Sequence, residues 1–124
     1  MAGARILLCD DHDALRRLTE GILAGAGHEV VAVASAAEAI GRLAAEPFDL
    51  LVLDLHLGDE SGLEVLEAAP ARPPVLLLSG EFDPRDGARD AARYGVEATL
   101  SKPFEAEEIC AAAGALLDGA RPRR

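Results

Sequence analysis

The stretch Phe48–Gly62, FDLLVLDLHLGDESG, decides the fold. Residues 49 to 53 lead up to Asp54, and all but Asp49 are Leu or Val; such a run between Pro47 and Gly58 reads as a strand buried on both faces. Asp54 ends that strand. A carboxylate placed where a buried strand meets a glycine-containing loop is poorly explained by packing, because a buried charge is costly until it is paired. The rest of the sequence must therefore supply partners for Asp54.

With 124 residues the chain has the size of one domain, read as residues 1–124 with about 4–117 structured and 118–124 a tail or linker stub. Half of the residues are hydrophobic, yet Phe48, Phe82, Tyr94 and Phe104 are the only aromatic ones, so the core must be built from Leu, Val, Ile and Ala. No segment approaches the length of a membrane span. The opening MAGARILLCDD has too short an apolar stretch for a secretory signal, and a cytoplasmic location is the default expectation. Cys9 and Cys110 lie far apart, each inside an apolar segment, and read as reduced core thiols. A net charge of −10 argues against direct nucleic-acid binding, which needs a basic surface. The basic residues of the closing stretch 121–124 read as a solvated end.

In chain order, strand and helix signals alternate. Arg5–Cys9 is a short apolar strand, and the cluster Asp10-Asp11-His12-Asp13 supplies the N-cap of a helix to about Ala24, with Leu15, Leu18, Ile22 and Leu23 on its buried face. Gly25 and Gly27 close it, and Glu29–Val33 returns as a strand. Ser35 caps a second helix, in a capping box with Glu38, and Pro47 stops it. After the strand at 49–54 and a loop at 55–61 comes a short helix from about Gly62 to Ala68. Val75–Leu78 is the fourth strand. A weaker helix from about Pro84 to Tyr94 contains Gly87 and is expected to be loosely held. Glu97–Ser101 is the fifth strand, and Glu105–Leu117 the last helix, with Ile109, Ala113, Leu116 and Leu117 inward.

Five strands alternating with five helices, with little polar alternation in the strands, predict an α/β fold: a doubly wound five-stranded parallel sheet with helices on both faces. Ligands of such sheets bind outside the carboxyl ends of the strands. Asp10 and Asp11 stand at the first of those ends, Asp54 at the third, Ser79 at the fourth and Lys102 at the fifth. Asp10-Asp11, Asp54, Ser79 and Lys102-Pro103, in this order over five βα units, resemble the receiver domain of two-component response regulators, similar to the chemotaxis regulators. The resemblance covers nearly the whole chain and implies the flavodoxin-like strand order 2-1-3-4-5.

Three carboxylates converging on one edge repel one another unless a cation sits among them, and a hard, oxygen-preferring Mg²⁺ (or Mn²⁺) fits. If Asp54 attacks a phosphoryl group, the charge that spreads over the transferring oxygens needs prearranged cations and donors. The Lys102 ammonium and the Ser79 hydroxyl are the candidates, and Asp54 would become an aspartyl phosphate. The resemblance further implies metal binding by Asp11 and Asp54 directly, by Asp10 mostly through water, and by the backbone carbonyl of His56. It implies a cis Lys102-Pro103 bond. The implied donor is a phosphohistidine on a sensor histidine kinase or phosphotransfer protein.

Departures from the family pattern mark the rest of the site. Thr99 stands where the family usually carries an aromatic or His, so the usual switch, in which that ring follows the hydroxyl of Ser79, is in doubt, and output is expected to depend on the Gly80–Asp83 loop and the helix after it. The resemblance implies that His56 and Glu81 flank the path of the water that would hydrolyse the acyl phosphate; His56 either orients or obstructs that water, or contributes only its carbonyl. Gly58 stands where many relatives have Pro, which is expected to leave the loop freer. Output would pass to a downstream target protein or a fused output domain, since only DGARPRR follows Leu117. By resemblance the fourth helix, fifth strand and fifth helix are the output face, and its Arg85, Arg89, Arg93, Glu97, Glu105, Glu107 and Glu108 would either support a weak symmetric dimer or merely solvate that face of a monomer. No membrane contact is expected. Two alternatives stay open: an interaction module of this fold that takes no phosphoryl group, and an Asp-nucleophile phosphohydrolase.

Overall fold

The computed structural model describes residues 3–80 and 92–120. Strands β1 (Arg5–Cys9), β2 (Glu29–Val33), β3 (Leu50–Asp54), β6 (Val75–Ser79) and β7 (Ala98–Ser101) form one parallel sheet in the order β2-β1-β3-β6-β7. Setting aside a short hairpin, β4 (His56–Leu57) and β5 (Glu60–Ser61), this is the expected order 2-1-3-4-5. The helices are α1 (Asp13–Gly25), α2 (Ala36–Ala45), α3 (Leu63–Ala68) and α4 (Ala106–Ala120). Most of the helix expected at Pro84–Tyr94 lies outside the described residues, as do Phe82, Asp83, Arg85 and Arg89; residues 92–94 are helical.

The lack of polar alternation in β1, β3 and β6 follows from burial on both sides. Leu7, Leu51, Leu53, Val75 and Leu77 point to one face, where Ala36 and Ala39 of α2 and Val65 and Leu66 of α3 cover them. Ile6, Leu8, Leu50, Val52, Leu76 and Leu78 point to the other, against Leu23 of α1 and Ile109, Ala113 and Leu117 of α4. Each such aliphatic side chain contributes about 1.5–3 kcal/mol by leaving water. The edge strand β7 differs: Ala98 and Leu100 face inward while Thr99 and Ser101 are exposed, the alternation of a strand covered on one side.

Several local expectations need correction. Leu18 is 59% exposed; the stripe of α1 that meets the core runs through Thr19 and Leu23, and Leu18 falls off its edge. The cluster at 10–13 does supply the N-cap of α1, through His12, whose Nδ1 accepts the Leu15 N–H at 3.2 Å. The last helix continues to Ala120. The segment expected as a freer loop after Asp54 is the β4–β5 hairpin, with Leu57 paired to Glu60. Gly58 begins its two-residue turn with φ +62°, a conformation for which such a turn selects glycine.

At the amino edge of the sheet the charges are matched. The Arg5 guanidinium pairs with Glu46 and, at 3.4 Å, with Glu29, donates to the Pro47 carbonyl at 3.2 Å, and stacks 4.8 Å from the centre of the Phe48 ring. The Arg5 N–H donates to Asp49 at 2.8 Å, and Arg42 holds the other oxygen of Glu46 at 2.6 Å.

Candidate functional site

The parallel register brings the strand ends together at the opposite, carboxyl edge. Cys9 pairs with Leu53 across β1 and β3, and Asp54 with Leu78 across β3 and β6, so Asp10, Asp54 and Ser79 follow one another around the same rim. All three are buried, with Asp10 fully enclosed; Asp11 is exposed. Carboxylate oxygens of Asp10, Asp11 and Asp54 lie within 4.8 Å of one another.

One ammonium faces this cluster. Lys102 Nζ donates to Asp54 Oδ2 and lies 3.6 Å from Asp10 Oδ2. Its stem is placed by the chain around it: the Lys102 N–H donates to the Ser79 carbonyl at 2.9 Å, and the Lys102-Pro103 peptide is cis. The other oxygen of Asp54, Oδ1, accepts the His56 N–H at 3.0 Å. Burial raises the Asp54 carboxyl above the ordinary carboxylate range, and Asp10 adds to this; the Lys102 ammonium and the His56 amide pull the other way without cancelling it. Cys9, just beneath, is pushed up to about 12 by burial and by the nearby Asp10 and Asp54 charges, and its Sγ lies 3.5 Å from the Ser35 carbonyl.

The arrangement fits a divalent cation. Asp10 Oδ1 accepts the His12 N–H at 2.9 Å, but among the described residues buried Oδ2 has no hydrogen-bond partner, only the Lys102 ammonium 3.6 Å away. Three clustered carboxylates are the oxygen donors that a hard cation prefers.

Three positions escape a reading of the sequence alone. Arg16 donates to the Asp10 carbonyl at 3.0 Å and pairs with Asp13 at 2.7 Å, bracing the turn that carries both acids. Gly62 is fixed by close approach, since a Cβ there would lie 2.1 Å from the Asp54 carbonyl oxygen. Glu60 reaches across to Ala36. A glycine spaced after the strand-end acid is a signal for the second of these; the other two contacts span parts of the chain that no local pattern connects. Among the expected residues, His56 and Thr99 are exposed, and Glu81 lies outside the described residues.

Comparison with known proteins bears on this geometry. The profile described as the response regulator receiver domain matches residues 6–114. The response regulator protein FleR of Pseudomonas aeruginosa is 38% identical over 108 residues, which cover 86% of this chain and 23% of FleR. The DNA-binding transcriptional regulator NtrC of Rhizobium meliloti is 35% identical, covering 100% of this chain and 26% of NtrC. The sensory/regulatory protein RpfC of Xanthomonas campestris is 33% identical, covering 85% of this chain and 15% of RpfC. The chain thus spans about a quarter or less of the length of these curated relatives. Among solved structures, a CheY-like receiver domain protein from Methanospirillum hungatei superposes with a TM-score of 0.87 at 27% identity, covering 96% of this chain and 97% of its own. NtrX from Brucella abortus does so with 0.86 at 32% identity, covering 97% of this chain and 28% of its own. A match that runs from the first strand into the last helix leaves one reading of the sheet and its acidic edge: this chain belongs to the response regulator receiver domain family of two-component signalling proteins.

Proposed function

We propose that the chain is the phosphoacceptor of a two-component phosphorelay, with Asp54 as the residue that takes the phosphoryl group. The observation that carries this reading is the environment of Asp54: a buried carboxylate with one oxygen on the Lys102 ammonium, the other on the His56 amide, and two further carboxylates beside it. Asp10, Asp11, Asp54 and the backbone carbonyl of His56 would hold Mg²⁺ or Mn²⁺, which supplies positive charge to offset the carboxylates and the transferring oxygens.

The chain's own residues do the rest. A carboxylate oxygen of Asp54 forms a bond to phosphorus as the bond from phosphorus to the donor imidazole nitrogen breaks, its electron pair returning to that nitrogen. Lys102 exchanges its ion pair with Asp54 for one with a phosphoryl oxygen, and the Ser79 hydroxyl donates to another. His56 borders the approach of the hydrolytic water, and Thr99, lacking a ring, leaves the transmission of the signal to other residues.

The donor is a sensor histidine kinase or a phosphotransfer protein, and the place of action the cytoplasm. Among the described residues no helix is long and apolar enough to cross a membrane. The recipient of the signal is a downstream protein or an output domain, as NtrC, a DNA-binding transcriptional regulator, illustrates for a relative. Exposure to acetyl phosphate with Mg²⁺ should add one phosphoryl group by mass, lost with EDTA and in Asp54→Asn. Absence of labelling, or labelling that survives Asp54→Asn, would overturn the reading in favour of an interaction module.

A further inference from the structure

The β4–β5 hairpin lies between Asp54 and helix α2, and one side chain fastens it to the helix. Ala36, the first residue of α2, is 2% exposed, so its backbone N–H has little access to water and needs a protein acceptor. The Ser35 hydroxyl is engaged elsewhere, accepting the Glu38 N–H at 3.2 Å. Ala36 donates instead to Oε1 of Glu60, on β5, at 3.3 Å. A carboxylate at the start of a helix also gains from the helix dipole. Across the hairpin Glu60 pairs with Leu57, which is buried in the core, and the residue before Leu57 is His56, whose N–H holds Asp54 Oδ1. A continuous set of contacts thus runs from the N-terminus of α2 through Glu60 and the hairpin ladder to the acceptor carboxylate.

We propose that Glu60 is a positioning residue: by anchoring the hairpin to α2 it keeps the His56 amide on Asp54 Oδ1 and fixes the orientation of the carboxylate. Its consequence for phosphoryl transfer rests on the function proposed above; the anchoring itself does not. The hairpin has no other side-chain hydrogen bond to α2 among the described residues.

Residue-resolved amide exchange of the full chain tests the anchoring, with Leu53 in β3 as internal reference. In Glu60→Ala the Ala36 and His56 amides should exchange about tenfold faster relative to Leu53, whereas Glu60→Gln, which keeps an accepting oxygen, should stay within about twofold of wild type. An unchanged ratio in Glu60→Ala, or an equal rise at Leu53, overturns the proposal. Phosphoryl uptake from acetyl phosphate gives the second readout. The rate at saturating donor should fall about three- to tenfold in Glu60→Ala with the half-saturating donor concentration unchanged, and Glu60→Gln should restore it. A wild type that takes no phosphoryl group through Asp54 removes the proposed function but leaves the exchange ratios to decide the anchoring. A labelled wild type with an unaltered Glu60→Ala rate overturns the positioning role.

Discussion

The two edges of the sheet are built on opposite electrostatic plans. At the amino edge, Arg5 and Arg42 share Glu46, Arg5 also reaches Glu29, and the Arg5 backbone is held by Asp49. At the carboxyl edge three carboxylates cluster, one ammonium pairs with two of them, and among the described residues one buried oxygen of Asp10 has no hydrogen-bond partner. The first edge is satisfied within the chain. The second is left short of positive charge, and the divalent cation proposed for it would stabilise the fold by supplying that charge.

The contrast yields graded tests. The largest effect is steric and belongs to the carboxyl edge: Gly62→Ala sets a Cβ 2.1 Å from the Asp54 carbonyl oxygen and should cost about 3 kcal/mol in urea unfolding. Next is the cation. Thermal unfolding should shift upward with Mg²⁺, by about 2.7 kcal/mol at a concentration about 100 times the dissociation constant. Asp10→Asn should remove that shift while stabilising the metal-free protein by about 1 kcal/mol, because it relieves one of three crowded charges. If Mg²⁺ stabilised Asp10→Asn equally, the contrast between the edges would fail.

The pH responses of the edges should have opposite signs. The folded protein takes up a proton on Asp54 at higher pH than the unfolded chain does, since burial raises that carboxyl. The metal-free fold therefore gains stability from this group as pH falls through its raised value toward the ordinary carboxylate range. Glu46 is held low by Arg42 and then Arg5, so its contribution is complete above the ordinary carboxylate range and lost as pH falls through its lowered value. Urea titrations between about pH 7 and pH 3 should show Asp54→Asn losing the acid-side gain and Glu46→Gln losing the acid-side loss. The smallest effect is Arg42→Ala: an exposed helical pair contributes little, and added salt should erase the difference from wild type.

How much of this was legible in the sequence depends on whether the governing contacts are local. The central strands were readable because sheet burial on both faces leaves Leu and Val at every position of β3 and β6 before the terminal Asp54 and Ser79, and Ser35 with Glu38 announced the start of α2. Strand order came from resemblance, since apolar runs carry no information on which neighbour they choose. Leu18 falls outside the buried face of α1 because the packed stripe includes a threonine, Thr19, which hydrophobicity alone does not mark. The hairpin after Asp54 was missed because strands as short as β4 and β5 show no periodicity, although a glycine opening a two-residue turn was a usable signal. In the site, the acids and the lysine stood out by their places at strand ends. Arg16 and Glu60 did not, because each works through a backbone group: the Asp10 carbonyl and the Ala36 N–H.

Cys9 offers a use that none of these contacts suggests. A thiol must ionise to react, and this one is fully buried with its ionisation pushed to about 12. Cys110, in α4, is partly exposed. A thiol-reactive dye at neutral pH should therefore label Cys110 first, and the slow labelling of Cys9 then becomes a clock for how often the whole sheet opens.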